Sequence, residues 1–488
     1  MAYTRRNFIK AAAATAAGVF SAPYVVTKSR AEGDGSGKPM KIIHFVSDGT
    51  SPSMVATADL FSRLTRGRRL CWLEMSKAPG ANTGMMDMAS LSSSVTDSSA
   101  ASSSWGSGSR IANGAVNCLP DGTLLKPIYE VLGELNWKRG LVTTTEITHA
   151  TPAGFGSASK SRGDTKEIAR YYKKLNIDVL LGGGQNIYDD KLRKEYTDTG
   201  YSIIQTAEEM KNASNDKKLL GIFSGGHLPM TIDWLNDQKL QKTVPTLAQM
   251  TDKALKMLGE SDHFILQVEG GRVDHACHSS DAPGAVYDHL AMDDAVQVAL
   301  DYQKSHPETL IVVTADHGTG GISLNGAGGG YNDTSKQVIR MRNAKGSFER
   351  LVSSIRKCKN AVELQNYIKE LYSVNIGADK ANLLLLASEH LNSVAYDEGK
   401  GFSCQLGQVL ANHFAINWSG GNHTGDYVAL VAKGPGSERF AGLIRNTDVF
   451  RNYVDFAGSD FRNKEWEGDL IKLSYDLGQE HWLDTPIA

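Results

Sequence analysis

The sequence predicts an α/β protein, a three-layer sandwich with a central, mostly parallel sheet, helices on both faces and an inserted subdomain. Three observations carry this prediction. Short, nearly continuous apolar runs alternate with helical patterns, as strands buried on both faces require. Residues with catalytic chemistry follow directly after several of those runs. Glycine is abundant, 49 of 488 residues, which suits a large protein with many tight turns and functional loops.

In chain order, Ile42–Val46, Leu141–Thr144, Val179–Leu181, Phe264–Val268, Leu310–Val313 and Tyr427–Val431 read as buried strands. Asp164–Leu175, Thr246–Leu258 and Ala285–Gln303 carry helical periodicity between them. Residues 322–420 break the rhythm. A Gly-rich stretch at 326–330 leads into Val338–Arg356, Ala361–Leu371 and Ala381–Leu391, which are helical and polar. This segment reads as the insertion, and the core then spans 40–321 and 421–488. The glycines at 326–330 lack a following Lys-Ser/Thr and form no phosphate-binding P-loop.

With 52 Lys+Arg against 54 Asp+Glu, the net charge of −2 leaves no electrostatic footprint for nucleic acid. Apolar residues make up 41% of the chain, which excludes wholesale disorder. Five cysteines, an odd number, do not make a disulfide scaffold at this length, and Cys71, Cys118, Cys358 and Cys404 offer no unique pairing. Residues 1–31 hold Arg5, Arg6, Lys10, Lys28 and Arg30 and no acid. The Arg5-Arg6 pair with Phe8 and Lys10, followed by an Ala-rich apolar stretch, reads as a bacterial twin-arginine export signal. Cleavage after Ala22 or Ala31 would deliver a periplasmic or secreted protein with no membrane anchor.

Polar residues gather where the predicted strands end. Asp48 follows the first run; His149 and Thr151 follow Leu141–Thr145; Glu269 follows Phe264–Val268; Asp316 and His317 follow Leu310–Ala315. Ligands of open α/β sheets bind beyond the carboxyl ends of the strands. One such residue is a common helix cap, but four segments together exceed what capping explains. Asp274 and His278 are four apart and share a helix face, a spacing that suits zinc. Asp316-His317 adds a second carboxylate–imidazole pair, and His423 a further imidazole in a loop. Together they would supply ligands for two adjacent metals of the kind that clamp attacking and leaving oxygens.

Asp97-Ser98-Ser99-Ala100-Ala101-Ser102-Ser103 is a run of small residues entering a helix, with Asp97 or Ser98 as its N-cap. A serine there meets backbone N–H groups that favour an anion, and an adjacent metal would favour its alkoxide. Other residues are given lesser roles. Cys277 is rotated off the face shared by Asp274 and His278. His289 with Asp293 reads as an exposed or capping pair, and His227 as a loop residue without a visible partner.

From Asp48 to His423 these motifs resemble, in the same order, those of the bacterial alkaline phosphatases. The resemblance implies an exported hydrolase of phosphate monoesters that releases inorganic phosphate by two in-line displacements. It makes Ser98 the phosphorylated nucleophile and Arg162 the phosphate clamp. It implies two Zn²⁺, one on Asp274, His278 and His423 and one on Asp48, Asp316, His317 and the Ser98 oxygen. One Mg²⁺ would take Asp48, Thr151 and Glu269. His149 and His275 stand beside these sites as in animal members, where the family otherwise varies to Asp and Lys. The family usually forms homodimers. The chain departs from its pattern at Ser47-Asp48-Gly49-Thr50-Ser51, where Gly and Gly-Met-Gly are common, and at Ser102 and Ser103. A sulfatase of the same superfamily would need Pro-x-Arg after its nucleophile, which Ser98 lacks.

Overall fold

The structure is a computed structural model, and it describes residues 38–466. The export-signal reading of residues 1–31 and the tail beyond 466 lie outside the described residues. The strands in chain order are β1 (Lys41–Ser47), β2 (Ala81–Asp87), β3 (Lys138–Glu146), β4 (Val179–Gly183), β5 (Tyr201–Ile204), β6 (Lys218–Ile222), β7 (Phe264–Gly270) and β8 (Thr309–Thr314). They continue with β9 (Gly318–Thr319), β10 (Ser323–Leu324), β11 (Ile416–Asn417), β12 (His423–Thr424), β13 (Val428–Lys433) and β14 (Gly442–Arg445). Ten of them form one sheet in the order β14-β2-β13-β8-β1-β7-β3-β4-β6-β5.

β1 lies near the middle, parallel to β7 on one side and β8 on the other. All seven of its residues are buried. Its side chains alternate between two hydrophobic layers: Ile43 and Phe45 face one, Ile42 and Val46 the other. That is why the strand reads as an uninterrupted apolar run. β13 runs against β2 and β8 and so enters the sheet at the edge where the parallel strands end. The short β9–β12 ladder pairs His423 with Thr319, folding the segment before β13 over that same edge.

All six strands read from the sequence are present, with ends that differ by a few residues. β2, β5, β6 and β14 were not anticipated. β2 (ANTGMMD) lacks a consistent apolar pattern, and the exposed edge strand β14 has only four residues. The helix expected over Val338–Arg356 is broken. It comprises Thr334–Val338, a 3₁₀ turn over Ile339–Asn343, and Phe348–Ile355. Gly346-Ser347 restarts the chain, because the Ser347 hydroxyl caps the new helix by accepting from Arg350 N at 3.2 Å. A further helix, Phe402–Phe414, was not anticipated.

Apolar residues of 322–420, among them Phe348, Leu364, Ile368 and Leu406, join the layer that holds Ile43 and Phe45. Polar ties reinforce this packing: Asp233 accepts from Ser347 N at 2.9 Å, and Asp281 accepts from Phe348 N at 2.7 Å. No helix among the described residues is long and apolar enough to cross a membrane.

The small residues of helix Ser98–Ser107 are explained by its neighbour, Ala150–Gly156. A Cβ on Gly106 would stand 1.8 Å from the Gly154 carbonyl oxygen. Gly106→Ala must therefore push the two helices apart, at a cost of about 1–3 kcal/mol. The denaturant midpoint should fall, and an unchanged midpoint would show that the helices do not pack this closely.

Candidate active site

Helix Ser98–Ser107 begins with Asp97 as its N-cap, whose Oδ1 accepts from Ala100 N at 2.8 Å. This settles the choice of cap and leaves Ser98 free in the first turn. Ser98 is 2% exposed, and its Oγ lies 3.2 Å from His317 Nε2. Asp97 Oδ2 accepts from Arg162 Nη1 at 3.1 Å and from Gly114 N at 3.0 Å. The second arm of Arg162, Nη2, donates to His149 Nε2 at 3.3 Å. The guanidinium is thus aimed from two sides toward the start of the serine's helix.

Three groups of potential ligands converge here, each with donor atoms within 4.8 Å of one another: Asp274, His278 and His423; Asp48, Asp316 and His317; and Asp48, Glu269 and His149. The turn after β1 makes the sharing of Asp48 possible. Gly49 has φ +73°, and a Cβ there would lie 2.6 Å from Asp274 Cα. Only glycine lets these two ligand-bearing segments approach so closely.

The hydrogen bonds fix which ring nitrogens face inward. His278 Nδ1 donates to the Gly421 carbonyl and His423 Nδ1 to the Thr96 carbonyl. In the neutral rings both Nε2 atoms then present lone pairs, and these atoms face each other at 3.1 Å. Thr319 Oγ1 donates to Asp274 Oδ1 at 2.6 Å and so accepts from His317 Nδ1 at 3.2 Å. His317 Nε2 therefore turns its lone pair toward Ser98, Asp316 and Asp48. Both oxygens of Asp48, Oδ2 of Asp316, Oε1 of Glu269 and Oγ1 of Thr151 are buried without a hydrogen-bond partner. Such a set of inward lone pairs and orphaned oxygens fits cations and little else.

The electrostatics agree. Burial, then the charges of Asp316, Asp274 and Glu269, hold the Asp48 carboxyl well above its usual range. Glu269 is pushed up to about 7, first by burial. Burial opposes charge on His317, yet Asp316 and Asp274 overcome it and raise its pKa. These positions demand positive charge.

Glu269 comes together with Asp48, and Thr151 lies buried beside Glu269. Thr143 and Thr145 hold Glu269 Oε2, leaving Oε1 free. His149, expected beside this group, has a ring nitrogen within 4.8 Å of its carboxylate oxygens. His275 lies on helix Arg272–His278, and its Nδ1 accepts from Arg272 Nη1 at 2.6 Å.

His227, passed over in the sequence, is part of the site. Its Nδ1 accepts from Glu146 N at 3.1 Å, and its ring packs 5.4 Å from that of His149 and 4.5 Å from that of His275. Burial and neighbouring cations keep the three imidazoles neutral, lowering His227 to about 4 and His275 to about 3. His149 is likewise held well below the ordinary value, by burial and Arg162. Only the fold brings the β6 loop to His149; its Gly225-Gly226 approach carried no other signal. His289 and Asp293 correct part of an expectation: both are 1% exposed and so not surface residues, while Asp293 Oδ1 accepts from Trp72 N at 3.3 Å in the first turn of helix Cys71–Met75. His289 Nδ1 lies 3.2 Å from Ser47 Oγ, which bonds Thr50 Oγ1 at 2.8 Å, so His289 braces the turn that carries Asp48. Cys277 is buried away from the ligands, and all five cysteines are free thiols.

Comparison with known proteins agrees with this geometry. The family model described as alkaline phosphatase matches residues 40–458. Alkaline phosphatase 3 of Bacillus subtilis is 36% identical over 372 residues, covering 73% of this chain and 76% of that one. Alkaline phosphatase 4 of the same organism is 32% identical, with 72% and 75% covered. The crystal structure of Thermus thermophilus alkaline phosphatase superposes with a TM-score of 0.82 at 29% identity, over 93% of this chain and all (100%) of that one. A cold-active alkaline phosphatase from Shewanella sp. gives 0.73 at 26% identity, with 86% and 100% covered. Fold, site and relatives together define a phosphatase, an enzyme that hydrolyses phosphate monoesters. The chain belongs to the alkaline phosphatase family.

The His227 packing has a measurable consequence. His227→Ala removes the ring that backs His149 and, through it, one arm of Arg162. Inhibition by inorganic phosphate should weaken by about two- to tenfold, in line with ~0.5–1.5 kcal/mol for an aromatic contact. An unchanged phosphate inhibition constant would mean that the loop only fills space.

Proposed function

We propose that this phosphatase depends on two Zn²⁺ and one Mg²⁺, works through a phosphoserine on Ser98, and is exported by the twin-arginine route to the periplasm or the medium. The carrying observation is the convergence of three imidazole lone pairs and unpartnered carboxylate oxygens around one buried serine at a helix N-terminus. Asp274, His278 and His423 would hold one zinc, and Asp48, Asp316 and His317 the other. The oxygen donors Asp48, Thr151 and Glu269 favour magnesium. When bound, these ions supply Lewis-acid stabilisation of the attacking and leaving oxygens and lower the pKa of coordinated groups.

The chain's own residues do the rest. Ser98 Oγ gives up its proton and attacks phosphorus, the ester oxygen departs on the opposite side and takes up a proton from solvent to leave as the alcohol, and the phosphoryl group is left on the serine. Water then attacks phosphorus from the side the alcohol vacated, freeing Ser98 and inorganic phosphate. Arg162, held by Asp97 and His149, pairs with the phosphoryl oxygens as charge builds on them. The free N–H groups at the start of helix Ser98–Ser107 add to that stabilisation. Burial of the cluster keeps bulk water from screening these charges. His149, His227 and His275, all neutral, add no fixed positive charge, which favours release of product phosphate. Homodimerisation, expected from the resemblance, is open to sedimentation analysis.

Two experiments test the reading. Ser98→Ala incubated with ³²P-labelled substrate and quenched in acid should carry no covalent label, while the wild type does. Label in stoichiometric amount on the variant would remove Ser98 from its role. Chelation should abolish turnover of p-nitrophenyl phosphate, with zinc plus magnesium restoring it. Full recovery on magnesium alone would contradict the zinc sites.

A further inference from the structure

Beside the serine lies a cavity of about 510 Å³ whose lining includes Asp87, Met88, Thr96, His317, Asp426 and Tyr427. Of the groups around the reacting serine, His317 borders it. Thr96 is two residues before Ser98, and its carbonyl accepts a hydrogen bond from His423 Nδ1 at 2.8 Å. His317 reaches Ser98 from the other side. The cavity therefore begins one side chain away from the serine.

Its charge is one-sided. Asp87 is neutralised by Arg110 at 2.9 Å. Asp426 makes no ion pair among the described residues. Its Oδ2 accepts from Thr424 Oγ1 at 2.5 Å, which pins the carboxylate in place and leaves Oδ1 free. The carboxylate stands over the residue next to His317, since a Cβ on Gly318 would come within 2.9 Å of Asp426 Oδ2. Next to it, Tyr427 presents an aromatic ring that is 48% exposed. A fixed, unpaired carboxylate beside an exposed aromatic ring is the combination that receives an organic ammonium group. The ring alone would accept any flat or apolar group, whereas the carboxylate selects the cation and repels an anion.

We propose that this cavity is a leaving-group subsite that favours phosphate monoesters of amino alcohols, with the ammonium held between Asp426 and Tyr427. The proposal rests on the phosphomonoesterase reading of the Ser98 site and adds a substrate class to it. Asp426 and Tyr427 would act on kcat/KM through the bound alcohol, without touching the phosphoryl group.

The test compares phosphocholine with 3,3-dimethylbutyl phosphate, its uncharged isostere, on the metal-loaded full chain. The readout is the ratio of the two kcat/KM values in wild type and in Asp426→Asn, so that the intrinsic reactivities of the esters cancel. An exposed carboxylate and one cation–π contact together support a change of about three- to tenfold. Asp426→Asn removes only the carboxylate's share and should lower the ratio by about two- to fivefold, and raising the ionic strength should erode the wild-type preference. Tyr427→Leu should also lower it, while Tyr427→Phe should keep it. A ratio unmoved by Asp426→Asn, with p-nitrophenyl phosphate still hydrolysed, overturns the subsite and leaves the phosphatase reading intact. Absence of p-nitrophenyl phosphate turnover by the metal-loaded wild type would instead defeat that reading itself.

Discussion

Four carboxylates, Asp48, Glu269, Asp274 and Asp316, are buried together at the carboxyl edge of one sheet. Buried like charges repel strongly where water cannot screen them, and a chain left with such a cluster unbalanced is destabilised. The consequence is visible in the groups themselves: burial and mutual repulsion drive protons onto Asp48, and the acids pull a proton toward His317 against its own burial. The same field that holds protons on these groups favours divalent cations. The Nδ1 bonds of His278, His423 and His317 to Gly421, Thr96 and Thr319 turn the Nε2 lone pairs toward this cluster, and cations held there would offset its charge and favour an alkoxide on Ser98.

Holding that cluster is the task of the surrounding fold. β1, β3, β7 and β8 are buried on both faces, so their ends are rigidly set, and their terminal residues project over one edge. The antiparallel entry of β13 brings His423 back over that edge from more than a hundred residues away, across the 322–420 segment. Arg272, 2% exposed, joins His275 to Glu349 of that segment, so the insertion's packing reaches the imidazole cluster. Ser47 Oγ bonds both Thr50 Oγ1 and His289 Nδ1. Together these bonds form a polar brace behind Asp48.

The parallel core was legible because strands buried on both faces leave unbroken apolar runs, and because Asp48, Glu269 and Asp316-His317 directly follow or end such runs. Asp274 and His278 were legible from helical spacing. What escaped was whatever depends on distant packing. β2 and β14 are held by their neighbours and by edge position, with little apolar pattern of their own. His227 has ordinary loop surroundings in sequence and acquires meaning only from the rings of His149 and His275. His289 and Asp293 looked like a surface pair because helix Ala282–Ser305 is buried over much of its circumference, which blurs the usual polar face.

The most direct test of the central claim is a crystal structure grown with zinc and vanadate, with anomalous maps collected on both sides of the zinc absorption edge. Two zinc peaks should appear, one among Asp274, His278 and His423 and the other among Asp48, Asp316 and His317, with vanadium bonded to Ser98 Oγ and facing Arg162. Absence of zinc from either position, or vanadate bound away from Ser98, would contradict the view that the acidic cluster exists to hold metals around that serine.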